Sequence, residues 1–124
     1  MTGITFDTGA LVALERRRQR MRELVERAMT RGLPITVPAD VVAEWWRGRT
    51  DLREAILESV DVEPLTEALA KLAGEALAAV RGATPVDAIV MASAATRGDV
   101  VFSSDIGDLE RLRAYFPGVR VLGV

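Results

Sequence analysis

"ITFDTGALVAL", Ile4 to Leu14, and "VVFSSDIGDL", Val100 to Leu109, share one pattern. In each, a short apolar run stops at acidic or hydroxyl residues and a helical pattern takes over. Runs this short and this apolar read as buried strands rather than helices. Asp7 ends the first, Ser103-Ser104-Asp105 ends the second, and Asp108 follows within one further turn. Two buried strands that each deliver a carboxylate at the C-terminal end point to an α/β sheet with chemistry along one edge.

The rest of the chain alternates in the same way. A helical region is expected from about Gly9 to Arg31, with Leu11, Leu14, Met21, Leu24, Val25 and Ala28 at helical spacing and Gly32 as its C-terminal stop. "PITV" (residues 34–37) is the next apolar run, and Pro38 fits the first position of a helix ending near Gly48. Thr50 to about Ser59 reads as a helix. "VDVEP" (residues 60–64) reads as a half-buried edge strand closed by a proline. Helices follow over Glu67–Arg81 and from Thr84, the N-cap, to Gly98, with Asp87 at the third helical position. A strand at Val100–Ser103, a helix from Ile106 to Phe116 and a strand at Val119–Leu122 complete the series. Strands alternating with helices imply a parallel sheet covered on both faces. The expectation is one domain, residues 1–124, built as a three-layer α/β/α sandwich around about five parallel strands.

Composition narrows the chemistry. The 124 residues carry no cysteine and no histidine, against 18 acidic and 16 basic residues. Without cysteine there are no disulfides and no thiolate metal sites, which fits a cytoplasmic protein. Met1-Thr2-Gly3-Ile4 lacks the basic and apolar segments of an export signal, and no apolar stretch approaches a membrane span of roughly 20 residues. Without histidine the commonest general base and the commonest transition-metal ligand are both missing. Any catalysis must run on carboxylates, hydroxyls and arginines.

Sites in open parallel sheets form outside the carboxyl ends of the strands, where strand order reverses. If the first and fourth strands are neighbours, Asp7 and Asp105 converge there. Helix capping accounts equally well for Asp105 or Asp108 taken alone. Asp87 is harder to explain as a cap, because the helix behind it, Ala88 to Ala95, carries no charge and must be buried. This topology turns its first turn, and Asp87 with it, towards the same mouth. Glu44, in "PADVVAEWWRG", lies off the stripe of Val41, Val42 and Trp45 and beside Asp40 and Arg47. Taken alone it reads as a solvated surface pair. Together, four acids without His or Cys make a poor zinc site but a good one for Mg2+ or Mn2+, which prefer oxygen ligands. Without a cation, such acids raise one another's pKa.

"FDTGALVAL", "VPADVVAEWWRG", "TPVDAIVMASAA" and "VFSSDIGDLERL", in this order and over essentially the whole chain, resemble the PIN-domain ribonucleases. Size and spacing resemble above all the VapC-type toxins of bacterial toxin–antitoxin pairs. The resemblance implies an acidic quartet binding one or two Mg2+ or Mn2+ ions and hydrolysing RNA phosphodiesters. On matching positions that quartet is Asp7, Glu44, Asp87 and Asp105. Asp108 matches a further acid of many members, Ser103 the hydroxyl residue two before the fourth acid, and Thr8 the one after the first. Ser-Ser-Asp replaces the more usual Thr-x-Asp, and the paired tryptophans after Glu44 are unusual. A homodimer and a cognate antitoxin that blocks the site are also implied.

Trp45 and Trp46 cannot both face one narrow stripe, so one of them is either an interface anchor or further core packing. "ERRRQRMR" (residues 15–22) reads as a solvated helix face, with phosphate contact the lesser alternative. Two other enzyme classes fail on single residues. A haloacid-dehalogenase phosphatase needs a second Asp where Gly9 stands. A response-regulator receiver needs a lysine near the last strand, and the only lysine is Lys71. The remaining alternative is a PIN-like binding module with weak or no nuclease activity.

Overall fold

The two strands that end in carboxylates are neighbours. In the computed structural model, which describes residues 3–124, β1 (Ile4–Phe6) pairs in parallel with β4 (Val100–Ser103), matching Phe6 to Phe102. On its other side β1 pairs with β2 (Ile35–Pro38), which pairs with β3 (Asp61–Glu63), while β4 pairs with β5 (Val121–Gly123). Every pairing is parallel, and the order is β3-β2-β1-β4-β5. The chain builds outward from β1 to one edge, then returns to build β4 and β5 on the other side. The reversal lies between β1 and β4, the place where such sheets form sites. Met1 and Thr2, part of the stretch read for an export signal, lie outside the described residues.

The sheet is a buried middle layer. Ile4 and Phe6 are 1% and 0% exposed, burial worth roughly 1.5–3 kcal/mol for each side chain. Side chains alternate across a strand, and β1 shows both faces. Ile4 lines a small cavity with Leu24 and Ala28 of α2 (Gln19–Thr30). Thr5 instead accepts a hydrogen bond from Arg97 of α6 (Pro85–Arg97). Helices α2 and α6 therefore lie on opposite faces, and the expected three-layer sandwich is observed. Ala88 to Ala94 of α6 are all buried between the sheet and α5 (Glu67–Ala79), as a helix without charge over that stretch requires. Among the described residues no helix is long and apolar enough to cross a membrane.

The helical region expected over residues 9–31 is two helices. α1 (Thr8–Glu15) ends in a turn in which Arg17 N–H donates to Leu14 and Arg18 N–H to Ala13, the paired bonds of a Schellman stop. The same pair closes α2 at Gly32 and Leu33. The stop needs a left-handed residue, and Gly32 takes φ +68° without steric cost. At the first stop that residue is Arg17, at φ +57°, so no glycine marked the break.

Other boundaries move by a few residues. Pro38 closes β2 instead of opening the next helix, and α3 (Ala39–Trp45) stops early because Trp46 is extended. α4 (Asp51–Glu58) is capped by Thr50, as expected. α5 ends at Ala79 rather than Arg81, where Val80 turns extended. α7 (Gly107–Leu112) ends in irregular turns before Phe116, and β5 starts two residues later and ends one later than the apolar run suggested.

Candidate active site

Asp7 leaves β1 at the reversal point and serves as the N-cap of α1, its Oδ1 accepting the Ala10 N–H at 2.9 Å. The other oxygen, Oδ2, lies 2.5 Å from Ser103 Oγ on β4. The Ser103 hydroxyl also accepts the Asp105 N–H at 2.9 Å and touches the Asp105 carbonyl at 2.8 Å. One serine thus ties the ends of both strands together, and Asp105 follows from its turn. Gly9 makes that approach feasible, since a Cβ there would come within 2.3 Å of Ser104 Oγ.

Asp7 is 8% exposed, and burial raises its pKa from 3.8 to about 6. The bonds from Ser103 and Ala10 oppose that rise, and repulsion from Asp87 and Asp105 adds to it. The hydroxyl geometry agrees. With Asp7 ionised, the single serine proton goes to Oδ2, and the contact with the Asp105 carbonyl holds no proton. With Asp7 protonated, its acid proton goes to Ser103 and the serine proton to that carbonyl, so every short contact is a hydrogen bond.

Asp87 stands in the first turn of α6, where Thr84 caps the helix by accepting the Asp87 N–H at 3.2 Å. Its carboxyl is half-buried and its pKa is raised, first by burial and then by repulsion from Asp108 and Glu44. Glu44 is exposed on α3, but it is not the surface pair its sequence context suggested. Thr8 Oγ1 donates to Glu44 Oε1 at 2.6 Å, turning it towards the start of α1. Arg47, the expected partner, donates instead to the carbonyls of Ala43 and Trp46. Asp105 is exposed and accepts the Gly107 N–H at 3.3 Å, and Asp108 is held in an ion pair by Arg111.

The structure therefore brings Asp7, Ser103 and Asp105 together through one hydroxyl, joins Thr8 to Glu44, and turns Asp87 towards the same mouth. The grouping is open. Among the described residues no three carboxylates lie close enough to hold an ion as they stand. In chemistry the set suits a hard divalent cation: every donor is an oxygen, two of the acids are pushed up first by burial and then by their neighbours, and among the described residues only Asp108 of the set has a cationic partner.

The chain belongs to the PIN domain family. The family's model matches residues 4–114, and members of this family are generally nucleases. No curated protein matches the chain by sequence. The PIN fold itself is shared with solved structures of low identity. DNA-bound VapBC from Salmonella typhimurium is 17% identical with a TM-score of 0.78, over 99% of this chain and 98% of that one. VapBC2 from Rickettsia felis, bound to a DNA fragment from its promoter, is 11% identical with a TM-score of 0.78, over 98% of each chain. A toxin–antitoxin complex from Klebsiella pneumoniae is 16% identical with a TM-score of 0.70, over 97% and 96%.

Sequence reasoning missed three features of this PIN domain. Arg111 neutralises Asp108, and the three-residue spacing on one helix was the available signal. Asp40 lies in the first turn of α3 with both carboxylate oxygens buried, close to its own N–H and that of Val41 but without a well-formed hydrogen bond to either. Burial raises its pKa first, and Glu44 and Glu63 add repulsion. On the α6 face of the sheet, Arg97 joins Glu63 at 2.5 Å, Asp99 at 2.9 Å, and Thr5 and Ser93 at 2.8 Å each. That network links β1, β3 and the C-terminal end of α6. Trp45 is a core residue whose indole N–H donates to Glu15, while Trp46 stays half-buried.

Proposed function

We propose that the protein is a metal-dependent endoribonuclease that acts in the cytoplasm as the toxin of a toxin–antitoxin pair. The observation that carries this reading is the convergence of Asp7 and Asp105 at the reversal point, with Asp87 near enough to repel Asp7. An acid mouth repels phosphate, so acids gathered there without histidine serve RNA only if a cation joins them. Asp7, Asp87 and Asp105, with Glu44, are the residues that would hold Mg2+ or Mn2+. Bound there, the cation would supply charge for the phosphoryl oxygens and a more acidic water.

The chain's own residues have separable tasks. Ser103 and the Ala10 N–H fix both oxygens of Asp7, so its carboxylate is pre-oriented and cannot rotate away. Thr8 occupies Glu44 Oε1 and leaves Oε2 free to accept a proton from the attacking water. Arg111 keeps Asp108 from adding a further unbalanced charge.

The test is cleavage of single-stranded RNA by the purified protein. Activity with Mg2+ or Mn2+ is expected, with none in EDTA, and with nearly all of it removed by Asp7→Asn, Asp87→Asn or Asp105→Asn. Full activity in any of these variants, or in EDTA, contradicts the mechanism. The toxin role draws on the toxin–antitoxin complexes that share the fold. Expression alone should arrest growth, and co-expression of the antitoxin should relieve it. An antitoxin arginine suits the acid mouth, since a guanidinium binds carboxylates bidentately. A homodimer is supported by the apolar side chains of Val62 and Leu65, exposed at and just beyond the β3 edge. A binding module with little nuclease activity is the second reading, favoured by the open spacing of the acids. Failure to cleave with every divalent metal would select it.

A further inference from the structure

The basic run before α2 lies beside the acid mouth. A cavity of about 550 Å3 is bounded by Gly9 and Ser104, the neighbours of the Asp7 and Asp105 turns, and by Arg16, Arg18 and Arg20. It shares Arg20 with a second cavity of about 240 Å3, which reaches Arg27. That one shares Arg27, Leu24 and Phe102 with a third of about 180 Å3, which ends at Arg31. The three form one groove along α2, which at 1.5 Å per residue is about 18 Å long.

Charge in the groove runs against the rest of the molecule. The chain is net acidic, with 18 acidic and 16 basic residues, yet five arginines line this path and Glu23 is the one acidic side chain among its lining residues. Glu23 is occupied by Gln19. None of the five arginines forms an ion pair among the described residues, although arginines elsewhere pair with Asp51, Glu15, Asp108 and Glu110. The Arg17 turn produces this arrangement. By ending α1 in a left-handed residue it sets Arg16 and Arg18 around the first cavity, where one continuous helix would have spread them around its circumference.

We infer that this groove is the track of the substrate strand, holding the RNA phosphates that flank the scissile one and leading them to the acid mouth. The inference rests on the ribonuclease reading for its substrate class, and on the groove's charge for its location. Phosphates repelled by the acids are met next door by unpaired guanidinium groups, which can bind them bidentately. A protein partner would have to be acidic along this length to sit there, and that is the alternative the test separates.

The test uses fluorescence anisotropy with a labelled single-stranded RNA of about 12 nucleotides, the full chain and EDTA, so that binding is read without cleavage. Combined Arg16→Gln, Arg18→Gln and Arg20→Gln substitution should weaken binding about tenfold or more. It should also lower the slope of log affinity against log salt by about 2, at ~0.7 per phosphate contact. Arg27→Gln with Arg31→Gln should lower the slope by about 1.4. Arg49→Gln, Lys71→Gln and Arg120→Gln together remove the same charge outside the groove and should change little. In cleavage assays with Mn2+ the groove variants should raise KM and leave kcat near wild type.

Wild-type affinity and salt slope in the groove variants overturn the track, as does a wild type that binds no RNA. Unchanged RNA binding combined with lost binding of an acidic protein partner would also overturn it. RNA binding that depends on the groove, without cleavage in any metal, would remove the nuclease reading and leave the track standing. Cleavage at wild-type KM by the groove variants would do the reverse.

Discussion

Replacing Asp7 with Asn should stabilise the metal-free protein at neutral pH. Asn Oδ1 can accept the Ala10 N–H as Asp7 Oδ1 does, and its amide can donate to Ser103, whose proton then serves the Asp105 carbonyl. The substitution therefore reproduces the bonding of protonated Asp7 and removes only the buried charge. Burial raises that pKa from 3.8 to about 6. At 1.36 kcal/mol per pH unit, holding the ionised form in the fold costs about 3 kcal/mol at pH 7. The gain expected from Asn is about 1–3 kcal/mol, because its second amide proton must still find water. The sign in pH follows from linkage. Between pH 3.8 and about 6 the folded state binds more protons at Asp7 than the unfolded chain. The contribution of Asp7 to stability thus improves as pH falls through that window, and no penalty remains below it. Urea melts in EDTA at pH about 7.5 and about 4 measure both states. Asn should be the more stable variant at the higher pH, with the gap closing at the lower. A mutant less stable than wild type at pH 7.5 would refute the reasoning and make Asp7 simply a helix cap.

Three further outcomes follow from other residues. Arg17→Gly should raise stability by about 0.5–1 kcal/mol in the same melts, since relief of a left-handed arginine, ~1–2 kcal/mol, exceeds the added backbone entropy of glycine. Thr8→Val should change stability by less than about 1 kcal/mol. It should also lower kcat about tenfold through loss of the Glu44 orientation, while Glu44→Gln, which removes the carboxylate itself, should lower it further in either background. Arg97→Met should cost roughly 3–5 kcal/mol, because it leaves the Asp99 carboxylate, 3% exposed, and Glu63 without their guanidinium.

Much of the fold was legible because its signals are local. Apolar runs gave four strands and alternation the edge strand β3, and Thr50, Thr84, Gly32 and Gly98 marked helix ends through capping chemistry that a sequence displays. The break at Arg17 was not legible, since the backbone there adopts a glycine conformation without a glycine. Asp7, Asp87 and Asp105 could be assigned to one mouth because strand order alone positions them. Glu44 could not be placed from its own helix, since the residue that turns it inward, Thr8, lies 36 positions away. Arg97 and Glu63 escaped for the same reason, and a half-buried ion pair 34 residues apart leaves no periodic trace. The charge of the Arg16–Arg20 run was visible, but what it faces depends on the turn at Arg17, which sets it around a cavity beside Gly9 and Ser104.

The most direct test of the central claim is calorimetric titration of Mn2+ into the metal-free protein. One set of sites, of one or two ions per chain, should appear in the wild type. Proton release at pH near 6 is expected as Asp7 ionises. Binding should weaken by at least tenfold in each of Asp7→Asn, Asp87→Asn and Asp105→Asn, and remain unchanged in Asp61→Asn, an acid on the exposed β3 edge. Binding unaffected by the three site variants, or absent from the wild type at millimolar Mn2+, would contradict the account.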